Sequence, residues 1–111
     1  MLSKPNRLKQ KKDIERVIKK GENFKEKFLV LKTAKNNLSQ SRFGFIVSQK
    51  VSKKASTRNK FKREMREIVR KKIKSLKTGR DNLFITLPGT EKKKFPEIEE
   101  TITTLFKKAN L

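Results

Sequence analysis

Between Arg58 and Arg70 the chain concentrates four of its eight arginines, Arg58, Arg63, Arg66 and Arg70, while 24 lysines supply the rest of its positive charge. A guanidinium is planar and presents paired donors to phosphate or to a base edge, which a point-like ammonium does not. Wound as a helix at about 100° per residue, Asn59, Arg63, Arg66 and Arg70 fall within about 60° of one another, and Phe61, Met65, Ile68, Val69, Ile73 and Leu76 occupy a neighbouring arc of about 140°. One arc can pack and the other can grip phosphate. The competing reading is a solvated face whose arginines are paired with Glu64 and Glu67. Those acids fall on a different arc from the arginines, which favours the phosphate grip.

What the chain lacks narrows its chemistry. It has no His, Cys, Tyr or Trp, so the common general base, the thiol nucleophile, the phenol and the usual transition-metal ligands are missing. Asp13, Asp81 and the glutamates are scattered and form no recognisable catalytic pair. No catalytic and no metal-ligating residue is therefore expected, and if the chain serves an enzyme, the bond is broken elsewhere.

Leu, Ile, Val and Phe make up 31 of the 111 residues, enough for a core, and the length fits one domain spanning residues 1–111. A net charge of +21 opposes compaction by self-repulsion and calls for a polyanionic partner. Nucleic acid comes first. A membrane surface is disfavoured because the bases do not line one long amphipathic helix and no apolar run is long enough to span. The segment Met1-Leu2-Ser3-Lys4-Pro5-Asn6-Arg7 lacks the apolar stretch of a signal peptide, and the absence of cysteine suits a reducing compartment. A cytoplasmic location is expected.

Several elements must position the arginine stripe. Residues 1–10 read as a basic arm. Ile14, Val17 and Ile18 recur at helical spacing from about Asp13 to Lys20, with Gly21 as a stop. The run Phe28-Leu29-Val30-Leu31 reads as a strand, with a shorter one near Asn23 to Lys25. Arg42-Phe43-Gly44-Phe45-Ile46-Val47-Ser48 is a strand with Phe43, Phe45 and Val47 on one face, and the turn 36–41 would join it to the Phe28–Leu31 strand as a hairpin. A Ser- and Lys-rich connection leads to a long helix from about Thr57 to Lys77, stopped by Gly79. Asn82 to Leu87 gives a last strand, and a final helix beginning near Pro96 buries Ile98, Ile102, Leu105 and Phe106.

Taken together, Asn6-Arg7-Leu8, the strand Arg42 to Ser48, the connection Lys50-Val51-Ser52-Lys53-Lys54-Ala55 and the helix Arg58-Asn59-Lys60-Phe61-Lys62-Arg63 through Arg66-Glu67 closely resemble the bacterial ribonuclease P protein component. The signature covers about residues 42 to 70, and element order extends the likeness over the whole chain. The resemblance implies an α+β fold, a single-domain α-β-β-β-α-β-α sandwich, ribosomal-protein-like, with a four-stranded sheet and a left-handed βαβ crossover, an exception to the usual hand. It also implies a protein subunit that binds ribonuclease P RNA and the 5′ leader of precursor tRNA, while Mg2+ held by the RNA subunit serves the cleavage.

In that family the helix motif contacts the RNA subunit, and the matching positions are Arg58, Asn59, Lys60, Lys62, Arg63 and Arg66. Arg70 joins them through the helical wheel alone. Lys50, Lys53 and Lys54 match the basic connection, where their role would be phosphate neutralisation. A cleft between the first helix and the sheet resembles a channel for the leader, and its positions here are Ile14, Ile18 and Leu31. The family commonly has aromatic residues in this helix, so base stacking is reduced in this chain. Alternatively, Ile14 and Ile18 are ordinary core residues. Two other functions fit the charge: a structural ribosomal protein binding ribosomal RNA, and a nucleoid DNA binder, which lacks a visible recognition helix or minor-groove arm. The resemblance favours RNA and neither DNA nor membrane.

Overall fold

The computed structural model describes residues 4–111. In chain order they form a 3-10 turn (Lys4–Asn6), α1 (Lys11–Lys20), β1 (Glu22–Glu26), β2 (Leu29–Lys35), β3 (Arg42–Ile46), α2 (Ala55–Lys72), a 3-10 turn (Ile73–Ser75), β4 (Arg80–Thr86), a 3-10 turn (Thr90–Lys92) and α3 (Phe95–Lys108). The α+β class and the element order agree with the sequence reading.

Strand partners differ from it. The four strands lie in the order β1-β2-β4-β3, so the strand at Arg42 does not form a hairpin with the strand at Leu29. The hairpin is instead β1 with β2, closed at Lys27, whose φ of 52° lies in the left-handed region. β4 inserts between β2 and β3, antiparallel to the former and parallel to the latter. The reason is visible in β4 itself: Asp81, Asn82, Leu83 and Phe84 are all buried, and a strand covered on both faces belongs in the middle of a sheet. The turn 36–41 thus spans the place where β4 begins.

Alternation divides the sheet into two faces. Leu29, Leu31, Phe43 and Phe84 face α2 and α3 and join Phe61, Met65, Ile68, Val69, Ile98, Ile102, Leu105 and Phe106 in the main core. Phe84 stacks on Phe45 at 5.7 Å and meets the edge of Phe106 at 5.6 Å between centroids. The opposite face carries a small cluster of Leu8, Val17, Ala34 and Leu83, flanked by half-buried Ile14, Ile46 and Ile85. There α1 packs on β2 and β4.

Helix boundaries need two corrections. α2 ends at Lys72 rather than Lys77, because the chain tightens into a 3-10 turn that directs Ile73 and Leu76 onto the core. Gly79 is consequently no helix stop; it precedes β4 with φ +78°, beneath the carbonyl oxygen of Leu38. Gly21 does end α1, by close approach: a Cβ there would lie 2.4 Å from the carbonyl oxygen of Val17. The arm is not loose either. Leu8 is buried and its N–H donates to the Phe43 carbonyl oxygen at 2.9 Å, so residues 7 and 8 lie along the outer edge of β3. Residues 1–3 of that arm fall outside the described residues.

Candidate nucleic-acid interface

α2 turns Phe61, Met65, Ile68 and Val69 into the core, which fixes the helix's rotation and leaves its other arc outward. On that arc Asn59 and Arg63 are exposed and Arg66 half-buried; Lys60 is exposed beside it, and half-buried Lys62 emerges from the rim of the apolar arc. Asn59, Arg63, Arg66 and Glu67 surround a hollow of about 260 Å³. Arg58 has a different task. Its Nη1 donates to the carbonyl oxygens of Ser52 and Lys53 at 2.9 and 3.0 Å, locking the connection that enters the helix. That connection is further held by buried Val51 and by Lys50 and Lys54 backbone N–H groups donating to Ser48 Oγ and Ser52 Oγ. The side chains of Lys50, Lys53 and Lys54 are all exposed on it.

Glu67 departs from the expected separation of acid and base. Arg70 Nε donates to Glu67 Oε2 at 3.0 Å, and Arg70 Nη2 donates to Oε1. The wheel puts the two residues about 60° apart, a gap that two long side chains close at spacing i, i+3. The Arg70 hydrogen bond holds the Glu67 carboxyl well below its ordinary range, at about 2. Arg70 is thereby partly neutralised in the free protein, whereas Arg63 and Arg66 have no ion pair among the described residues.

Two basic residues of the arm, not counted with the stripe from sequence, join it. Arg7 and Lys9, from the segment along β3, line a cleft of about 320 Å³ with Lys62 and Arg66, floored by Phe43, Gly44 and Phe45. Gly44 lets the arm approach closely there: a Cβ would come within 3.1 Å of the Leu8 carbonyl oxygen and 3.2 Å of Leu83 Cδ1, so its neighbours would have to yield by a few tenths of an ångström. The sequence signal was Leu8, a lone apolar residue among bases, marking where the arm attaches.

The three residues matched to a leader channel divide. Ile18 is exposed, at 44%, and Ile14 is half-buried against the small cluster. Both lie on the helix that faces the open side of the sheet, so the alternative that both are core residues fails for Ile18. Leu31 is a correction. It is 0% exposed and points into the main core under α2 and α3, on the face away from α1. Its neighbours Val30 and Lys32 take the α1 face by alternation, and with Ile46 and Ile85 they are half-buried there. A one-residue step changes the face.

Beneath α1 lies an ionic hub that sequence reading passed over. Asp81, 0% exposed, accepts from Arg42 Nε at 2.8 Å, Arg42 Nη2 at 2.7 Å, Arg16 Nη2 and Asn36 Nδ2 at 2.9 Å. Arg42 also reaches Asp13 Oδ2 at 3.3 Å. Hydrogen bonding to Asp81 raises the pKa of Arg42 above its ordinary value. Asp13 and Arg16 belong to α1, so these bonds tie the helix to β3 and β4. Alternation with Leu83 and Ile85 was the available signal, since it puts Asp81 on an inward face. Among the described residues no group of three or more His, Cys, Asp or Glu could hold a metal ion.

Residues 2–110 match the family model described as Ribonuclease P. The chain is 34% identical over 112 residues to the ribonuclease P protein component of Pseudanabaena sp., covering 100% of this chain and 97% of that one. Its fold superposes on the Staphylococcus aureus RNase P protein with a TM-score of 0.86 at 28% identity, over 94% of both chains. The RNase P protein from Thermotoga maritima gives 0.83 at 29% identity, over 92% of this chain and 96% of that one. A ribosomal-protein reading is not favoured by these likenesses. The chain belongs to the ribonuclease P protein family, whose members are the protein subunits of an RNA–protein endoribonuclease.

Proposed function

We propose that this protein grips ribonuclease P RNA with Asn59, Lys60, Lys62, Arg63 and Arg66, displays Lys50, Lys53 and Lys54 to neighbouring phosphates, and guides the 5′ leader of precursor tRNA across the open side of its sheet. Arg58 acts by holding the connection in place, and Arg70 contributes once it exchanges Glu67 for phosphate. Contacts to phosphate neutralise charge without reading sequence. The supporting observation is the division of α2, one arc sunk in the core and the other carrying arginines outward.

For the leader, Ile14 and Ile18 border the path, joined by Val30 and Lys32 in place of Leu31. Aliphatic side chains can press on ribose and bases but lack the roughly 1 to 3 kcal/mol per base of aromatic stacking. The Asp81 hub keeps α1 at a fixed height above the strands, which sets the width of the path. Bond cleavage falls to Mg2+ ions bound by the RNA, which would activate water and stabilise the leaving oxygen. The protein's task is to lower the repulsion between two RNAs in the cytoplasm.

The test is reconstitution. With the cognate RNA subunit and Mg2+, adding the protein should raise cleavage of precursor tRNA at low salt, and the protein alone should not cleave. Robust cleavage by RNA-free protein, or no effect on the RNA subunit, would overturn the reading.

A further inference from the structure

Phe43 and Phe45 stand two residues apart on β3 and share the face turned to α2 and α3, yet they are not equally covered. Phe43 is buried at 2% exposure, while Phe45 is half-buried. The ring of Phe45 lies nearly parallel to that of Phe84, at 5° and 5.7 Å between centroids, so its plane is fixed. The part of it that the core leaves uncovered lines the cleft between α2 and the arm. An aromatic surface held still beside water suits a flat partner that can stack or press on it.

The walls of that cleft are cationic. Lys62 and Arg66 rise from α2 and Lys9 from the arm, and no Asp or Glu lines it. None of these three has an ion pair among the described residues. Around the axis of α2, Arg63, Arg66 and Lys62 follow one another in steps of about 60° and 40°, so a strand held on the outward stripe is led over the rim to the aromatic floor. The arm is in place before any partner arrives, because Leu8 is buried and its N–H is bonded to the Phe43 carbonyl oxygen at 2.9 Å. The enclosed space of about 320 Å³ is that of a small ligand pocket.

Neutralising the phosphates of an RNA helix needs cations and no ring, since its bases are already stacked on one another. A ring beneath cations fits a base that has left its stack, with the phosphates on either side of it near the walls. Phe45 packs on the α2 side of the sheet, away from the leader path over the other face. We infer that this cleft takes one unpaired nucleotide of the RNA subunit, its base against Phe45, one flanking phosphate at Lys62 and Arg66 and the other at Lys9. The inference rests on the functional reading above, because it takes the RNA subunit as partner, and it adds a base to a contact otherwise made with phosphates alone. Such a pocket places the protein where an unpaired nucleotide is available, which phosphate contacts by themselves do not do.

The chain has no cysteine, so Lys9→Cys can carry an aryl-azide photocrosslinker in the reconstituted holoenzyme, with Glu100→Cys on α3 as the control and cross-links mapped by primer extension. Cross-links from position 9 are expected at one or two adjacent unpaired nucleotides of the RNA subunit. An RNA subunit made without the base at that nucleotide should then bind wild-type protein roughly tenfold more weakly than intact RNA, and Phe45→Leu no more than about twofold more weakly. Phe45→Leu also thins the core, so its melting curve is recorded and binding is measured below the transition. Lys62→Ala, which leaves the ring stack intact, repeats the cycle, and its loss and that of the base should be less than additive. Cross-links confined to paired nucleotides or to precursor tRNA, none above the control, or the same loss for wild type and both variants would each overturn the inference. Cleavage by the unlabelled wild-type holoenzyme reports on the functional reading by itself, so the two can fail separately.

Discussion

The two faces of one sheet are built by different means. Toward α2 and α3 the contact is aromatic and sealed, with Phe43, Phe45, Phe84 and Phe106 ring to ring. Toward α1 a short helix covers only part of the strands, the apolar cluster is small, and ionic bonds centred on Asp81 hold the helix down. Hydrophobic burial stabilises without fixing direction, whereas a carboxylate held by two guanidinium groups specifies orientation. The sealed face accordingly carries the stability, and on the half-open face the ionic hub holds α1 in a defined place over the strands, as the proposed leader path requires.

Truncation on the sealed face should have the largest effect. Phe84→Ala removes a fully buried ring that touches two others and should cost about 3 to 5 kcal/mol, read by urea unfolding; a loss below 1 kcal/mol would show that this face is not the main core. Asp81→Ala should come next, at about 2 to 3 kcal/mol, because Arg16 and Arg42 lose their partner but can reach water. Its distinctive sign is functional. With α1 untethered, the holoenzyme's preference for precursor over mature tRNA should fall more than its affinity for mature tRNA, and equal losses for both would separate the hub from the leader path.

On the open face, Ile18→Phe should leave the melting temperature nearly unchanged and tighten precursor binding by roughly 1 to 3 kcal/mol if the ring stacks on a leader base. Ile14→Phe should instead overpack the small cluster and cost about 1 to 3 kcal/mol of stability. Identical behaviour of the two variants in both assays would mean that α1 does not divide its residues as described.

The outward arc of α2 extends the contrast. Arg63→Ala with Arg66→Ala should shift stability by no more than about 0.5 kcal/mol while lowering the salt slope of RNA binding by about one phosphate per lost contact. Normal RNA binding by this double variant would reduce the stripe to a solvated face. The smallest effect concerns Glu67. Its pKa is lowered to about 2 from 4.5, so whatever the pair with Arg70 adds to stability is present above the ordinary value and is lost as pH falls through about 2. The melting-temperature gap between wild type and Glu67→Gln should close over that window, and the same substitution should steepen the salt dependence of RNA binding at neutral pH by releasing Arg70.

Much of this was legible in the sequence where a single element carries its own period. Phe61, Met65, Ile68 and Val69 define the buried side of α2, and Pro96 with Ile98, Ile102, Leu105 and Phe106 define α3, because helical spacing repeats within one segment. Strand pairing does not repeat locally. Nothing in residues 28–48 announces that β4, some 40 residues further on, will separate β2 from β3. Leu31 was misplaced for a related reason, since Val30 and Leu31 are equally apolar and only the sheet's partners decide which faces α1. The wheel that grouped the arginines also misjudged Glu67, because it measures angles at the axis and ignores the reach of the side chains.

The position of β4 also has a consequence in time. At ribosomal speeds of roughly 5 to 20 residues per second, about 2 to 8 s separate the emergence of β3 from that of β4, whose ladders with β2 and β3 complete the sheet. During that interval the edges of β2 and β3 that β4 covers in the finished sheet have no partner, because β4 has not been made. Edges of this kind invite pairing with other nascent chains, and the high positive charge of the neighbouring segments keeps such chains apart while they wait. The lysines proposed above as an RNA contact thus act first as a guard on a sheet still missing an inner strand.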